Sequence, residues 1–292
     1  MISDVCPSCL AHPPSPLVVP PSAKELDEIL PHHDIREKLG EGANGCVFKV
    51  YNGKLRRLEA VKTMRESTVF PDFARRFDFE CQEMARLRHS NIPVIFDHGA
   101  HGKIHYFTMD YMPDGSLESQ LSEEIPLGRA IDILRQVCNA LSFAHKENVI
   151  HRDVKPSNVL LAGASIRLAD FGLAKRIFSD QPGITQVETR LGTPGYMAPE
   201  QVFADTGIDH RADIYSLGAL LYKLLTGRIP HGAFPLPSEC KKPASFDKLL
   251  KRALAPEPGD RYQSVAEFRY ELEEVAFNSL PQEPPNGPSF SI

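Results

Sequence analysis

The sequence predicts an α+β protein in two lobes, a small antiparallel sheet with one main helix followed by a larger, mostly helical part. Three observations predict it. Before Gly115, short β-branched and aromatic runs are separated by glycine and polar turns. After Gly115, apolar residues recur at helical spacing. The 292 residues are 42% hydrophobic and 24% charged, ordinary for a globular chain of one or two compact parts.

Asp34 to Leu39 reads as a strand leading into a glycine-rich turn, Cys46 to Val50 as the returning strand, and Leu58 to Thr63 as a third. Phe70 to Leu87 carries Phe73, Phe77, Met84 and Leu87 near helical spacing, and Val94 to Phe96 with Ile104 to Met109 completes the sheet. Helices are expected over Leu127 to His145, Ala212 to Leu225, Phe246 to Ala255 and Val265 to Val275. Ala212 to Leu225 is apolar enough to be the buried pillar of the larger lobe. The junction of such a sheet lobe with such a helical lobe is a natural cofactor site. Proline-rich segments at 1–21 and 280–292 flank a folded body over 22–279, divided near 112 into lobes of about 22–112 and 113–279.

With 33 Lys plus Arg against 38 Asp plus Glu and no basic block, nucleic acid is excluded as a main partner. No apolar run approaches about 18 residues, and the first residues lack a signal peptide's basic flank and apolar centre, so no transmembrane segment and a cytoplasmic location are expected. Cys46, Cys81, Cys138 and Cys240 are spaced singly, as reduced thiols are. Cys6 and Cys9 form a CxxC followed by His12, which falls short of the four ligands of a structural zinc site.

The chemistry is concentrated in four motifs. Gly40, Gly42 and Gly45 with Val47 match G-x-G-x-x-G-x-V, a turn whose amides can approach phosphate oxygens. Because a strand rather than a helix follows, a dinucleotide fingerprint is disfavoured. Lys62 lies on the next strand, and Glu80, with Glu83 as the rival, is the helix acid that could hold its ammonium against phosphates. Glu80 is preferred because it shares a helix face with Met84. The run His151-Arg152-Asp153-Val154-Lys155-Pro156-Ser157-Asn158, with Asp170-Phe171-Gly172 beyond it, supplies what phosphoryl transfer needs. Asp153 would orient a hydroxyl, Lys155 would offset migrating charge, and Asn158 and Asp170 would bind magnesium. Cys46 sits beside the glycine turn but on the opposite strand face from Val47, as an inert thiol.

These motifs resemble the protein kinase superfamily, and specifically the bacterial eukaryotic-like serine/threonine kinases, over roughly 35–272. The resemblance implies the bilobal protein kinase fold, ATP as cofactor with Mg2+ (Mn2+ the alternative cation), and protein substrates. It implies that Gly40, Gly42 and Gly45 cover the phosphates and that Lys62 and Glu80 form an activating pair. Val47, Ala60 and Leu160 would surround adenine, with Met109 as gatekeeper and Asp110, Tyr111 and Met112 as the hinge. Met84, Phe96, His151 and Phe171 resemble the side chains stacked in an active state. Glu200 resembles the acid that pairs with a late arginine, here Arg261, and Asp213 the buried brace of the catalytic loop.

Lys155, together with Thr193 ahead of Ala198-Pro199-Glu200, matches kinases of serine and threonine, Thr193 lying on the substrate side. Arg152 beside Asp153 implies control by a phosphate on the activation segment, for which Thr185 and Thr189 are the candidates. Relatives pair through the back of the small lobe, so self-association there is also implied. The chain departs from the pattern between Gly227 and Phe246, where four prolines leave the usual helix missing or reduced to a turn. A pseudokinase or nucleotide-gated scaffold is the competing reading, and a small-molecule kinase the third.

Overall fold

The computed structural model describes residues 21–42, 45–66, 72–121, 125–171, 195–202, 207–230 and 232–279. They divide between two compact units, one holding the residues up to Arg86 with Val94–Tyr111, the other holding Leu87–Pro93 and the described residues from Met112 onward.

The first unit opens with a short helix, α1 (Ala23–Ile29), started by a capping box. Ser22 accepts the Glu25 amide hydrogen at 3.3 Å, and Glu25 accepts that of Ser22 at 2.8 Å, satisfying two donors that a helix start would otherwise leave open. Strands β1 (His33–Gly42), β2 (Gly45–Asn52), β3 (Arg57–Arg65), β4 (Ile95–His101) and β5 (Ile104–Asp110) form one antiparallel sheet in the order β1-β2-β3-β5-β4. Helix α2 (Phe73–Arg86) lies between β3 and β4 in the chain and buries Phe73, Phe77, Glu80, Cys81 and Met84.

The sheet's two faces are covered differently. His105 and Phe107 turn to α2, where the rings of Phe73 and Phe77 stand 5.1 and 5.2 Å from that of His105. Cys46, Phe48, Val50, Val61 and Ile104 turn to the other face and are buried under Leu26, Ile29 and Leu30. Helix α1 is thus the lid of a second apolar layer, anchored at its rim by Glu25 to Arg65 and Glu28 to His101. The sequence reading starts this lobe with a strand and contains no such helix. On β4 a bulge between Ile95 and Asp97 displaces Phe96 from the ladder, and its ring lies 3.6 Å beneath the Arg57 guanidinium.

In the second unit, α3 (Leu127–Lys146) is followed by a two-stranded hairpin, β6 (Val159–Ala162) and β7 (Ser165–Leu168), also not anticipated. Then come α4 (Pro199–Val202), α5 (Arg211–Thr226), α6 (Ser245–Ala253) and α7 (Val265–Ser279). Helix α5 is the expected pillar, with Asp213, Ser216 and Gly218 buried among apolar neighbours. At Gly218 an added methyl would come within 2.8 Å of the Ala253 Cβ, so this glycine sets how closely α6 approaches. Among the described residues, the stretch between α5 and α6 holds only a 3-10 turn, Pro237–Cys240.

The segment 87–93 belongs with this unit rather than with the sheet it precedes. Asn91 explains why. Its amide donates to Gln136 on α3 and to the Ile166 carbonyl, each at 3.0 Å, and its own carbonyl accepts the Leu168 amide hydrogen at 2.8 Å.

Candidate active site

In the first unit the strand register gathers the expected nucleotide-side residues on one sheet face. Gly40 lies opposite Val47, Val47 opposite Lys62, and Ala60 opposite Met109, and directly opposed residues share a face. Gly42 pairs with Gly45 at the hairpin tip. Lys62 and Glu80 are each only 6% exposed, a costly place for charge unless it is compensated. Glu83 is half-buried and bonded to Arg86 at 2.8 Å, which leaves Glu80 as the buried acid of α2. Beyond Met109, Asp110 is clasped to Val94, donating its amide hydrogen to the Val94 carbonyl at 3.2 Å and accepting that of Val94 on Oδ2 at 2.7 Å. The Lys49 ammonium stands 4.9 Å from the Tyr111 ring.

In the second unit, the geometry of the loop carrying His151 to Asn158 starts from Asp213 near the start of α5. Its carboxylate is fully buried and accepts from His145 Nε2 at 2.7 Å, the His151 amide at 2.9 Å and the Arg152 amide at 2.7 Å. Burial alone would raise this carboxyl, but the hydrogen bonds from the His145 side chain and the His151 amide hold it below the ordinary range. Arg152 is fixed with φ at +65°, a conformation non-glycine residues seldom adopt.

His151 donates from Nε2 to the Ala169 carbonyl at 3.0 Å, so its Nδ1 is the acceptor for the Asp153 amide hydrogen at 3.2 Å. Burial pushes its imidazolium down, which keeps the ring neutral and suited to that role. The ring stands 4.5 Å from Phe171.

Asp153, Lys155 and Asn158 converge. The Lys155 ammonium is 2.8 Å from Asp153 Oδ2, and Asn158 donates from Nδ2 both to that oxygen at 3.0 Å and to the Asp153 carbonyl at 2.7 Å. With its amide nitrogen spent on Asp153, the group Asn158 can offer a cation is its side-chain oxygen. Asp170 follows Ala169, whose amide donates to the Asn158 carbonyl at 2.8 Å, and stands at φ +63°. Leu160 on β6 is half-buried and bridges to Ser116, and Met112 is buried.

Farther along, Arg261 is 0% exposed and donates two parallel hydrogen bonds of 2.7 Å to Glu200. Thr185, Thr189 and Thr193, like Cys6 and Cys9, lie outside the described residues.

Four contributors escape a sequence reading: Asn91, Gln136, His145 and Gln201. Each is a neutral or weakly basic side chain whose role depends on its partners. Gln201 donates to the Arg152 carbonyl at 2.9 Å.

The protein kinase domain family matches residues 33–268. The chain belongs to the protein kinase family. It is 34% identical over 276 residues to the serine/threonine-protein kinase PknB of Mycobacterium tuberculosis, covering 86% of this chain and 44% of that protein. It is also 34% identical to a probable serine/threonine-protein kinase of Clostridium acetobutylicum, covering 84% of this chain and 40% of the relative. To the serine/threonine-protein kinase Pkn1 of Myxococcus xanthus it is 34% identical, with 81% and 37% covered. The kinase chain therefore spans less than half the length of these relatives. Among its described residues no helix is long and apolar enough to cross a membrane.

The donors in this kinase domain fit a hard divalent cation. Asn158 and Asp170 offer an amide oxygen and a carboxylate, the few oxygen ligands with which Mg2+ is held when substrate phosphates and water supply the rest. Among the described residues no cluster of three or more His, Cys, Asp and Glu forms a metal cage of its own.

Proposed function

We propose that this chain transfers the terminal phosphoryl group of ATP to serine or threonine hydroxyls of protein substrates. The observation that carries the reading is Asp153, held through its backbone by His151 and through its carboxylate by Asn158 and Lys155, on a loop pinned to buried Asp213. Magnesium-ATP, when bound, supplies the phosphoryl group and much of the charge neutralisation. Manganese is the alternative cation. Asp153 accepts the hydrogen bond of the attacking hydroxyl and aims its oxygen, a positioning task for which a fixed carboxylate is suited. Lys155, already paired with Asp153, offsets charge on the migrating group, and Asn158 and Asp170 hold the cation. On the first unit's sheet, Gly40, Gly42 and Gly45 cover the phosphates, Lys62 paired with Glu80 binds them, and Val47, Ala60 and Met109 with Asp110 and Tyr111 take the adenine; the second unit's expected adenine residues are Met112 and Leu160.

The regulatory reading is that phosphate on Thr185, or on Thr189, engages Arg152, and that Thr193 shapes the acceptor side for a short hydroxyl. The bidentate Glu200–Arg261 pair supports protein rather than small-molecule substrates. Self-association through the small lobe uses surface other than the sheet face already covered by α1.

The test is transfer of radiolabelled phosphate by purified wild type, Asp153→Asn and Asp170→Asn, with phosphosite mapping. Label should appear on substrate and on Thr185 only with wild type. Equal labelling by the variants would overturn the assignment.

A further inference from the structure

Arg152 is held at both of its backbone polar groups, and only one of the two holders lies on α5. Its amide hydrogen goes to Asp213, while its carbonyl accepts from the side-chain amide of Gln201 at 2.9 Å. That carbonyl belongs to the same rigid peptide plane as the Asp153 N–H, which donates to His151 Nδ1. The plane leading into Asp153 is therefore clamped at its oxygen by Gln201 and at its hydrogen by His151. With Arg152 at φ +65°, this backbone is strained and stays in place only where its surroundings over-determine it.

Gln201 is itself rigidly seated. Its Oε1 accepts the Ala198 amide hydrogen at 3.1 Å, and Ala198 is fully buried. Two residues earlier in the chain the Tyr196 carbonyl accepts from Ser216 Oγ on α5 at 2.7 Å, and next to Gln201 Glu200 is locked by Arg261. Both handles on Arg152 therefore trace back to α5, one through Asp213 and the other through Ser216, Tyr196 and the turn that carries Gln201.

We infer that Gln201 is a positioning residue for Asp153, fixing the Arg152–Asp153 peptide and so coupling the end of the activation segment to the orientation of the catalytic carboxylate. The inference rests on the phosphotransferase reading for its kinetic consequence, but its structural content can be measured without turnover.

Gln201→Glu is the informative variant. It keeps the acceptor for Ala198 and the size of the side chain but replaces the donor facing Arg152 with an oxygen. The expected result is a fall in kcat of about 10- to 100-fold, as for misplacement of a reacting group by around an ångström, with KM for ATP changed by no more than about twofold. The melting temperature should drop by no more than about 4 °C, as suits one neutral hydrogen bond. Hydrogen exchange at the Asp153 amide should quicken about tenfold or more in the same protein. Gln201→Leu should reproduce both effects. Unchanged exchange at Asp153 would overturn the inference, as would a loss of kcat matched by an equal rise in KM. If wild type itself transfers no phosphate, the phosphotransferase reading fails, and the exchange comparison alone decides the role of Gln201.

Discussion

Two glycines of one turn answer to different demands. A side chain at position 45 would overlap the Thr63 carbonyl oxygen, and the backbone there stands at φ +127°, where only glycine is at ease. At Gly40 an added methyl meets nothing within 4 Å. Gly45→Ala is expected to destabilise the fold by about 1–3 kcal/mol in chemical denaturation. Gly40→Ala should leave stability within about 0.5 kcal/mol of wild type while raising KM for ATP. An unaltered KM would count against a phosphate-covering role for that residue. The glycine pattern is thus legible in the sequence, but the demand that the fold places on Gly45 emerges only when the Thr63 carbonyl is placed.

Histidines set the acid response at the same scale. Burial lowers His151, and likewise His89 and His105, below the ordinary imidazole range. Below about pH 6.5 the unfolded chain takes up protons that the folded one resists, so their contribution is complete above that value and is lost as pH falls through it. Asp213, also depressed, adds a loss that begins only near about pH 4. Urea unfolding should show lower stability at pH 5.5 than at pH 7.5. A flat profile would contradict the burial argument.

Among the elements, α1 has the clearest consequence. Leu26, Ile29 and Leu30 cover Cys46, whose thiol burial pushes up, so the wild-type sulfur should label slowly with a thiol reagent. A Leu26→Ala, Leu30→Ala variant should lose about 2–5 kcal/mol per site and should label Cys46 many times faster, followed by mass spectrometry. Equal rates would mean the helix does not guard that face. The signal for α1 was present in the sequence: Ser22 and Glu25 have capping-box spacing, followed by apolar residues. Seven residues after a proline-rich stretch carry too little periodicity to announce a helix. The β6–β7 hairpin is hidden for a similar reason, each strand being four residues long. The bulge at Phe96 cannot be read from alternation, because it is a break in alternation.

For the whole molecule, the order of sheet lobe then helical lobe was legible in the change of periodicity, the convergence of Asp153, Lys155 and Asn158 in residue types at fixed spacing, and the Glu200–Arg261 pair only through the family resemblance. Gln201, Asn91 and Gln136 were not, since a neutral amide has no signature until its partners are known. Arg261 shows what long-range pairing contributes. Its five donors meet five acceptors: both Glu200 oxygens and the carbonyls of Arg211, Ala255 and Pro256. Arg261→Ala should cost about 3–5 kcal/mol by stranding a largely buried carboxylate, measurable as a lowered denaturation midpoint.

A guanidinium that has given away every hydrogen cannot shuffle partners. The junction it makes behaves as a rivet with two conditions, fastened or sheared. Any signal that passes along the Glu200 turn must therefore move that turn and its anchorage as one solid piece.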